Sequence, residues 1–442
     1  MTDVDLSREL CSFIAQSPSM FHTVASIAKR LDDAGFKRIS EGDAWNVGPG
    51  DCCYVMRNGS SVIAFRIGQD VAADAPFQMA ASHTDSPTFK IKHVAELDGP
   101  GQMLRLNVEG YGGMLDATWF DRPLGVAGRV MVRTEDKRIE SRLVASDGPV
   151  ALIPNVAIHQ NREANKGVAY NHQVDLCPLI SVGELKCGSF DGFVAKMADT
   201  DSEHVLGKDL YLVNLMEPHI WGWAQEFVSS PKLDDLQCAF ASLGAFVQAR
   251  NDSCVTVYGC FDTEEVGSRS RQGALSTFLS EVLLRISEAL GRSNEEHLRA
   301  LAHSFMVSCD NGHAVNPNHP ELFDAKNQAR VNGGVVVKEA SSGTYATDAL
   351  GRAVFTAICQ DVGVPVQTFA NRSDSRGGST LGNLSNTQVS VHSIDVGLAQ
   401  LAMHSSYETA GVKDTGYLMK ALQAFYAAHL RIDEDEIASC QW

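Results

Sequence analysis

Two apolar rhythms divide this chain, and their order constrains the fold more than any single motif does. Toward both ends, runs with helical spacing alternate with short β-rich runs; between about 94 and 228 the helical rhythm disappears. Near the start, Phe21, Val24, Ile27, Ala28 and Leu31 recur at helical spacing and Gly35 stands where helices commonly end, predicting a helix over 21–36. Strand-like runs follow at 52–56, 61–67 and 77–82. The middle holds short strand-like runs such as 104–108, 125–132 and 210–215, separated by Gly, Pro and Asp turns, with no strongly amphipathic helix between them. After Ser229-Ser230-Pro231 the alternation returns, with helices expected over 236–250, 274–290, 345–362 and 416–430. Strands are expected over 254–261, 304–309, 334–337 and 388–394. Such a pattern predicts an α/β fold in which one discontinuous α/β domain, 1–93 with 229–442, is interrupted by a β-rich domain over 94–228.

Composition excludes several classes of function. A chain of 442 residues, 44% hydrophobic and 21% charged, is globular and long enough for more than one core. Lys and Arg number 37 against 54 Asp and Glu, a net charge of −17, which disfavours binding to a nucleic-acid backbone because that binding rests on basic surface. The N-terminus is acidic, without the basic-then-apolar order of a secretory signal, and no apolar run approaches the roughly 18 residues of a membrane helix. The 11 cysteines are an odd number, include the adjacent pair Cys52-Cys53, and lack zinc-finger spacing. They read as reduced packing residues, so a cytoplasmic location is expected, with neither nucleic-acid nor membrane partners.

Chemistry collects at strand ends. The run 77–82 leads into His83-Thr84-Asp85, the run 254–261 into Asp262-Thr263-Glu264-Glu265, and the run 304–309 into Asp310. In an open α/β sheet those ends share one edge, where ligands bind. Asp234-Asp235 at a helix start and His404 after the last strand can reach the same edge. Taken singly, each has a plain structural reading: a surface turn, a helix N-cap, a solvated loop, a core histidine. Taken together, two imidazoles and three carboxylates suit a pair of divalent ions such as zinc, one carboxylate bridging and a further carboxylate remaining free as a base. Asp85, two residues past His83, is placed to accept the other ring N–H and fix the ligating tautomer.

These residues sit in stretches that resemble the aspartyl aminopeptidases, zinc exopeptidases related to vacuolar aminopeptidase I. The stretches, in order, are Ser17-Pro18-Ser19-Met20-Phe21-His22, Ser82-His83-Thr84-Asp85-Ser86-Pro87, Thr118-Trp119-Phe120-Asp121-Arg122-Pro123-Leu124 and Val126-Ala127-Gly128-Arg129-Val130. They continue with Ile153-Pro154, Ala157-Ile158-His159, Pro231-Lys232-Leu233-Asp234-Asp235-Leu236, Asp262-Thr263-Glu264-Glu265-Val266-Gly267-Ser268 and Ala402-Met403-His404-Ser405. The resemblance implies a three-layer α/β/α catalytic domain of the zinc-exopeptidase type, and a β domain that serves oligomerisation and substrate gating. It implies His83, Asp310 and bridging Asp234 on one zinc, and Glu265, His404 and the same Asp234 on the other, with Co2+ or Mn2+ also acceptable in one position. Glu264 becomes the general base for attack by a metal-bridging hydroxide. His159 would reach a neighbouring subunit's site, Lys338 and Tyr345 would line the pocket for the first side chain, and the Asp234–Asp235 peptide bond would be cis. The implied activity is removal of single residues from peptides with a free N-terminus, preferring Asp or Glu, by a homododecamer.

The chain also departs from that pattern. The stretch Asn371-Arg372-Ser373-Asp374-Ser375-Arg376-Gly377-Gly378-Ser379-Thr380 lacks the expected Pro-Cys-Gly, Gly382-Asn383 replaces Gly-Pro, and Ser406-Tyr407 replaces an apolar–Arg pair. Acidic preference therefore stands beside a broad or neutral-preferring aminopeptidase, a non-catalytic cargo or scaffold shell, and another dizinc hydrolase such as a deacylase. Retention of the proposed ligands and base disfavours the scaffold.

Overall fold

A computed structural model describes residues 2–375, 377–433 and 437–441. Its main sheet has nine strands, in the spatial order Lys37–Arg38, Cys52–Arg57, Ser61–Ile67, Val255–Phe261, Phe77–His83, Phe305–Cys309, His392–Gly397, Val335–Glu339, Val366–Ala370. The four central strands, Val255–Phe261 through His392–Gly397, run parallel, so their C-terminal ends lie along one edge. Register sets Phe261 opposite His83.

Period-two alternation explains the layers. In the Ser61–Ile67 strand, Val62 and Ala64 face one core, with the helices Asp3–Ala15, Met20–Asp33, Leu233–Gln248, Ala349–Asp361 and Asp414–Ala427. Ile63, Phe65 and Ile67 face the other, with Phe278–Ala289 and Asn294–Ala302. The result is the expected three-layer α/β/α arrangement.

A second sheet of six antiparallel strands spans Thr88 to Asn214, in the order Ile139–Ala145, Leu124–Arg133, Val205–Asn214, Thr88–Asp98, Met103–Tyr111, Leu179–Val182. It starts ahead of the expected boundary at 94, because Thr88 follows Pro87 directly in a strand leaving the first sheet. The hairpin His219–Trp221 and Phe227–Ser230, expected within the insertion, instead pairs with Glu408–Gly411 in a third, five-stranded sheet. The middle is not free of helix either. Ser189–Met197 packs Phe190 and Val194 onto the second core. Its apolar residues Phe190, Phe193, Val194 and Met197 follow helical spacing, a signal masked by flanking and internal glycines.

Other boundaries shift for local reasons. The helix expected from 345 begins at Ala349, where the Asp348 carboxylate accepts the Gly351 N–H as an N-cap. The helix expected to 430 ends at Ala427, and His429–Asp433 forms a strand paired with Ile437–Gln441. The cysteines are free and most are buried. Among the described residues no helix is long and apolar enough to cross a membrane.

The helix Leu233–Gln248 carries Asp234 at its N-terminus and is held at its far end by buried Arg66. That guanidinium donates to the carbonyls of Phe246, Val247 and Ala249 and stacks over Phe36 and Phe246. Arg66→Leu would remove this donor from the Phe246 carbonyl, leave the Val247 and Ala249 carbonyls to Arg250 alone, and lose the stacking on Phe36 and Phe246. Chemical denaturation should show a loss of about 2–4 kcal/mol.

Candidate metal centre

The parallel strand ends converge as their order requires. His83 closes one strand, Glu264 and Glu265 follow the next, Asp310 follows a third, and His404 lies on the loop between Ala399–Leu401 and Glu408–Gly411, beyond His392–Gly397. Asp234 reaches the same edge from the helix that crosses beneath it, and the Asp234–Asp235 peptide bond is cis, as expected. Non-glycine residues in the left-handed region gather here: Lys232, Thr263, Ala402 and His404. Such conformations cost energy and persist where surrounding contacts impose them, often at functional sites.

Asp234 is the centre of the geometry. Its Oδ1 lies 3.4 Å from His83 Nε2, and its Oδ2 lies 3.6 Å from His404 Nε2. Asp310 Oδ1 is 3.7 Å from the His83 nitrogen, and Glu265 Oε2 is 3.4 Å from that of His404. Donor atoms of His83, Asp234, Asp235 and Asp310 lie within 4.8 Å of one another, as do those of Asp234, Glu265 and His404, and those of His83, Glu264 and Glu265. One carboxylate thus faces two imidazoles with its two oxygens.

The protein alone does not satisfy this cluster. Asp234 Oδ1, Asp235 Oδ1 and Glu265 Oε1 are buried without hydrogen-bond partners. Burial, reinforced by neighbouring carboxylates, pushes Asp235, Glu265 and Glu408 well above the usual carboxylate range and Glu264 up to about 8. His83 moves the opposite way from an ordinary buried imidazole: burial would lower it, but Asp235, Asp234, Asp310 and Asp85 raise it well above its usual value. Crowded, unpartnered acids around two imidazoles are what a divalent cation would neutralise. The donor set is N and O, which suits zinc and also admits cobalt or manganese.

Supporting residues fix these donors. His83 Nδ1 meets the Asp85 carbonyl at 3.1 Å and Asp85 Oδ1 at 3.5 Å, leaving Nε2 directed at Asp234. Asp85 also accepts the backbone N–H groups of Glu264 and Glu265. Three further residues were not legible as site residues. Asp235 accepts the His83 N–H, Glu408 accepts the N–H groups of Asp234 and His404, and Gln400 donates to Asp234 Oδ2. Asp235 was visible only as Asp234's neighbour, and Glu408 and Gln400 belong to no metal-ligand spacing.

A cleft of about 280 Å³ opens beside the cluster, lined by Asp310, His313, Lys338, Tyr345, Phe369, Ser379, Thr380 and Met403 among others. Lys338 is 2% exposed, and its ammonium contacts the Asp310 carbonyl (2.7 Å) and carboxylate (3.3 Å) and the Asn311 carbonyl (3.3 Å). It also lies over the Tyr345 ring. His313 packs against Phe369 and has no hydrogen-bond partner among the described residues. His159 is exposed in a turn of the second sheet and is not among the cleft residues. Ser406, where the resemblance led us to expect otherwise, stitches the His404 loop to the insertion: its N–H and hydroxyl both bond Thr118. Arg376 lies outside the described residues.

The aminopeptidase I zinc metalloprotease (M18) profile matches residues 13–426. A protein of Clostridium novyi (strain NT), described as a probable M18 family aminopeptidase 2, is 41% identical over 427 residues, covering 96% of this chain and 99% of the relative. Among solved structures, the crystal structure of prApe1 is 30% identical with a TM-score of 0.92, covering 96% of this chain and 94% of that one. The S. cerevesiae mApe1 dodecamer is 29% identical with a TM-score of 0.85, with 96% of each chain covered.

If the cluster holds a cation, chelation should lower the thermal midpoint and zinc should restore it. Ligand at a thousandfold excess over its dissociation constant contributes about 4 kcal/mol. Scanning fluorimetry with and without chelator reads this; a midpoint indifferent to both would remove the metal assignment.

Proposed function

The chain belongs to the aminopeptidase I zinc metalloprotease (M18) family and is an aminopeptidase; from that premise we propose that it releases single N-terminal residues from peptides at a dizinc centre, preferring acidic N-termini. The observation that carries the reading is Asp234, whose two oxygens face two different imidazoles. His83, Asp234 and Asp310 would hold one zinc, and His404, Asp234 and Glu265 the other. Bound there, the ions would supply Lewis acidity, lowering the pKa of water and polarising a peptide carbonyl.

The chain's own residues do the rest. Glu264 lines the cleft beside the cluster, where its carboxylate can take a proton from the attacking water and return it to the leaving amine nitrogen. Neighbouring cations would favour its ionised form, offsetting the burial that raises it in their absence. Asp85 holds Glu264 through its backbone N–H and keeps His83 in the tautomer that presents Nε2. Tyr345 and Phe369 are among the residues lining the cleft, whose size suits one side chain, consistent with removal of one residue at a time.

For the first side chain, Lys338 is an indirect partner. Its ammonium is engaged by Asp310 and two carbonyls, so it orients a proposed ligand more than it offers a free charge. The His313 ring, which has no side-chain hydrogen bond among the described residues, together with the Ser379 hydroxyl, supports recognition of a carboxylate; the Thr380 hydroxyl is committed to Asp395. The engagement of Lys338 favours a second reading, a broad aminopeptidase.

Assembly as a homododecamer is likewise proposed, supported by the dodecameric structural relative and by apolar side chains exposed around His159, including Val156, Ile158, Val168 and Val174. In such an assembly His159 would face a neighbour's site.

Glu264→Gln should keep its zinc and lose about 10²–10⁴ in kcat on aminoacyl chromogenic substrates. Metal analysis beside the assay separates loss of the base from loss of the ions; full activity would refute the base assignment. Across Asp-, Glu- and Leu-linked substrates, wild-type kcat/KM should be highest for the acidic pair. Lys338→Leu should lower all of them by similar factors, whereas His313→Leu should lower the acidic ones about tenfold more than Leu. Equal wild-type rates on all three would select the broad reading.

A further inference from the structure

The inserted sheet reaches into the centre at one side chain. Tyr111 ends the strand Met103–Tyr111, and its hydroxyl donates to Asp85 Oδ2 at 2.8 Å. Asp85 is 1% exposed and carries more of the site than any ligand does: it receives the N–H groups of Glu264 and Glu265 at 3.1 and 3.2 Å and lies against His83 Nδ1. A carboxylate with three such neighbours has a single useful orientation, and the phenol is the donor from the second sheet that holds it there. The Tyr111 ring packs edge-on against Tyr211 at 5.5 Å.

The same stretch of the insertion grips the other imidazole. The Leu115 N–H donates to the His404 carbonyl at 3.0 Å, and Thr118 accepts two hydrogen bonds from Ser406, one at its hydroxyl and one at its carbonyl. Residues 111–118 therefore touch the supports of both histidines, although none of them has a metal-ligating atom in the cluster.

From this geometry we infer that Tyr111 is a positioning residue, through which the seat of the inserted sheet sets the Asp85 carboxylate and, by way of it, the His83 ring and the Glu264–Glu265 turn. The inference rests on the aminopeptidase reading for its kinetic consequence, but not for its metal-binding one. Removing the hydroxyl takes from Asp85 Oδ2 one of its two donors and leaves the Glu265 N–H alone there, loosening the carboxylate on which His83 and the Glu264–Glu265 turn rest. Outer partners of metal-ligating histidines typically contribute about ten- to a hundredfold in metal affinity or activity.

The test uses the full-length protein with Tyr111→Phe, which keeps the ring against Tyr211. Competition with a chromophoric chelator should show zinc dissociation constants raised about tenfold or more. At saturating zinc, kcat on an aminoacyl chromogenic substrate should fall about tenfold or more while KM moves less than twofold. Circular dichroism and the thermal midpoint of the zinc-loaded protein should stay near wild type. Tyr211→Phe removes a neighbouring hydroxyl that has no hydrogen-bond partner among the described residues, and should match wild type in both measurements. Wild-type zinc affinity and kcat in Tyr111→Phe would overturn the inference, as would equal losses in the two variants. An inactive wild type would instead refute the aminopeptidase reading, with the zinc competition still deciding the role of Tyr111.

Discussion

The Asp234 carboxylate, shared between the imidazoles of His83 and His404, is the contact around which the molecule is arranged. Its position depends on a helix that is buried along nearly its whole length and whose first turn presents the carboxylate at the favourable end of the helix dipole. Glu408 receives the Asp234 N–H and Gln400 approaches Oδ2, so backbone and side chain are held independently. Burying several carboxylates together is unfavourable unless opposite charge compensates them. Lys338 compensates Asp310: burial would raise that carboxyl, but the ammonium and His83 hold it below the usual range. For Asp235 and Glu265, burial and the neighbouring carboxylates outweigh the pull of His83, and Glu408 is buried beside Asp234, so all three are pushed up instead. The remaining demand for positive charge is the physical case for metal, made from this chain's own donors.

That demand connects the two main sheets. The insertion has its own core, with Phe89, Leu106, Trp119 and Val126 among its members, and so does not need the first sheet to bury its apolar face. Its contacts with the site are polar: Tyr111 to Asp85, Leu115 to the His404 carbonyl, Thr118 to Ser406. A separately packed body touching the site through a few directed hydrogen bonds suits the fixing of geometry, since such bonds are sensitive to angle and distance.

Legibility in the sequence followed the same division. The strands that carry ligands were readable because continuous apolar runs end abruptly in His, Asp and Glu, and parallel strands place those ends on one edge. Helices with weaker punctuation were missed. Asn294–Ala302 is announced by the capping box of Ser293 and Glu296, and Asp3–Ala15 by that of Thr2 and Asp5, but neither has a long apolar stripe. The supports were illegible for a different reason. Asp235 and Glu408 act on backbone N–H groups, and Tyr111 acts on a carboxylate far away in sequence, so no spacing rule connects them to the residues they hold. The Lys338 expectation shows the limit of residue type alone: a lysine beside the cleft suggests a free charge, and only its neighbours show that the charge is already matched.

This matching bears on how an acidic chain could take the acidic substrates proposed for it. With a net charge of −17, the long-range field opposes an approaching Asp or Glu side chain, but screening confines that field to about 8 Å at physiological ionic strength. Within that distance the local arrangement decides. The carboxylates nearest the cleft are the proposed metal ligands and Glu264, and ions bound among them would cancel their field where the substrate sits. Against a locally neutral floor, the His313 imidazole and the Ser379 hydroxyl would distinguish a carboxylate from an alkyl group, because a charge-assisted hydrogen bond is about twice as strong as a neutral one. On this argument acidic preference needs no excess of positive charge in the chain, only that the negative charges near the cleft be occupied.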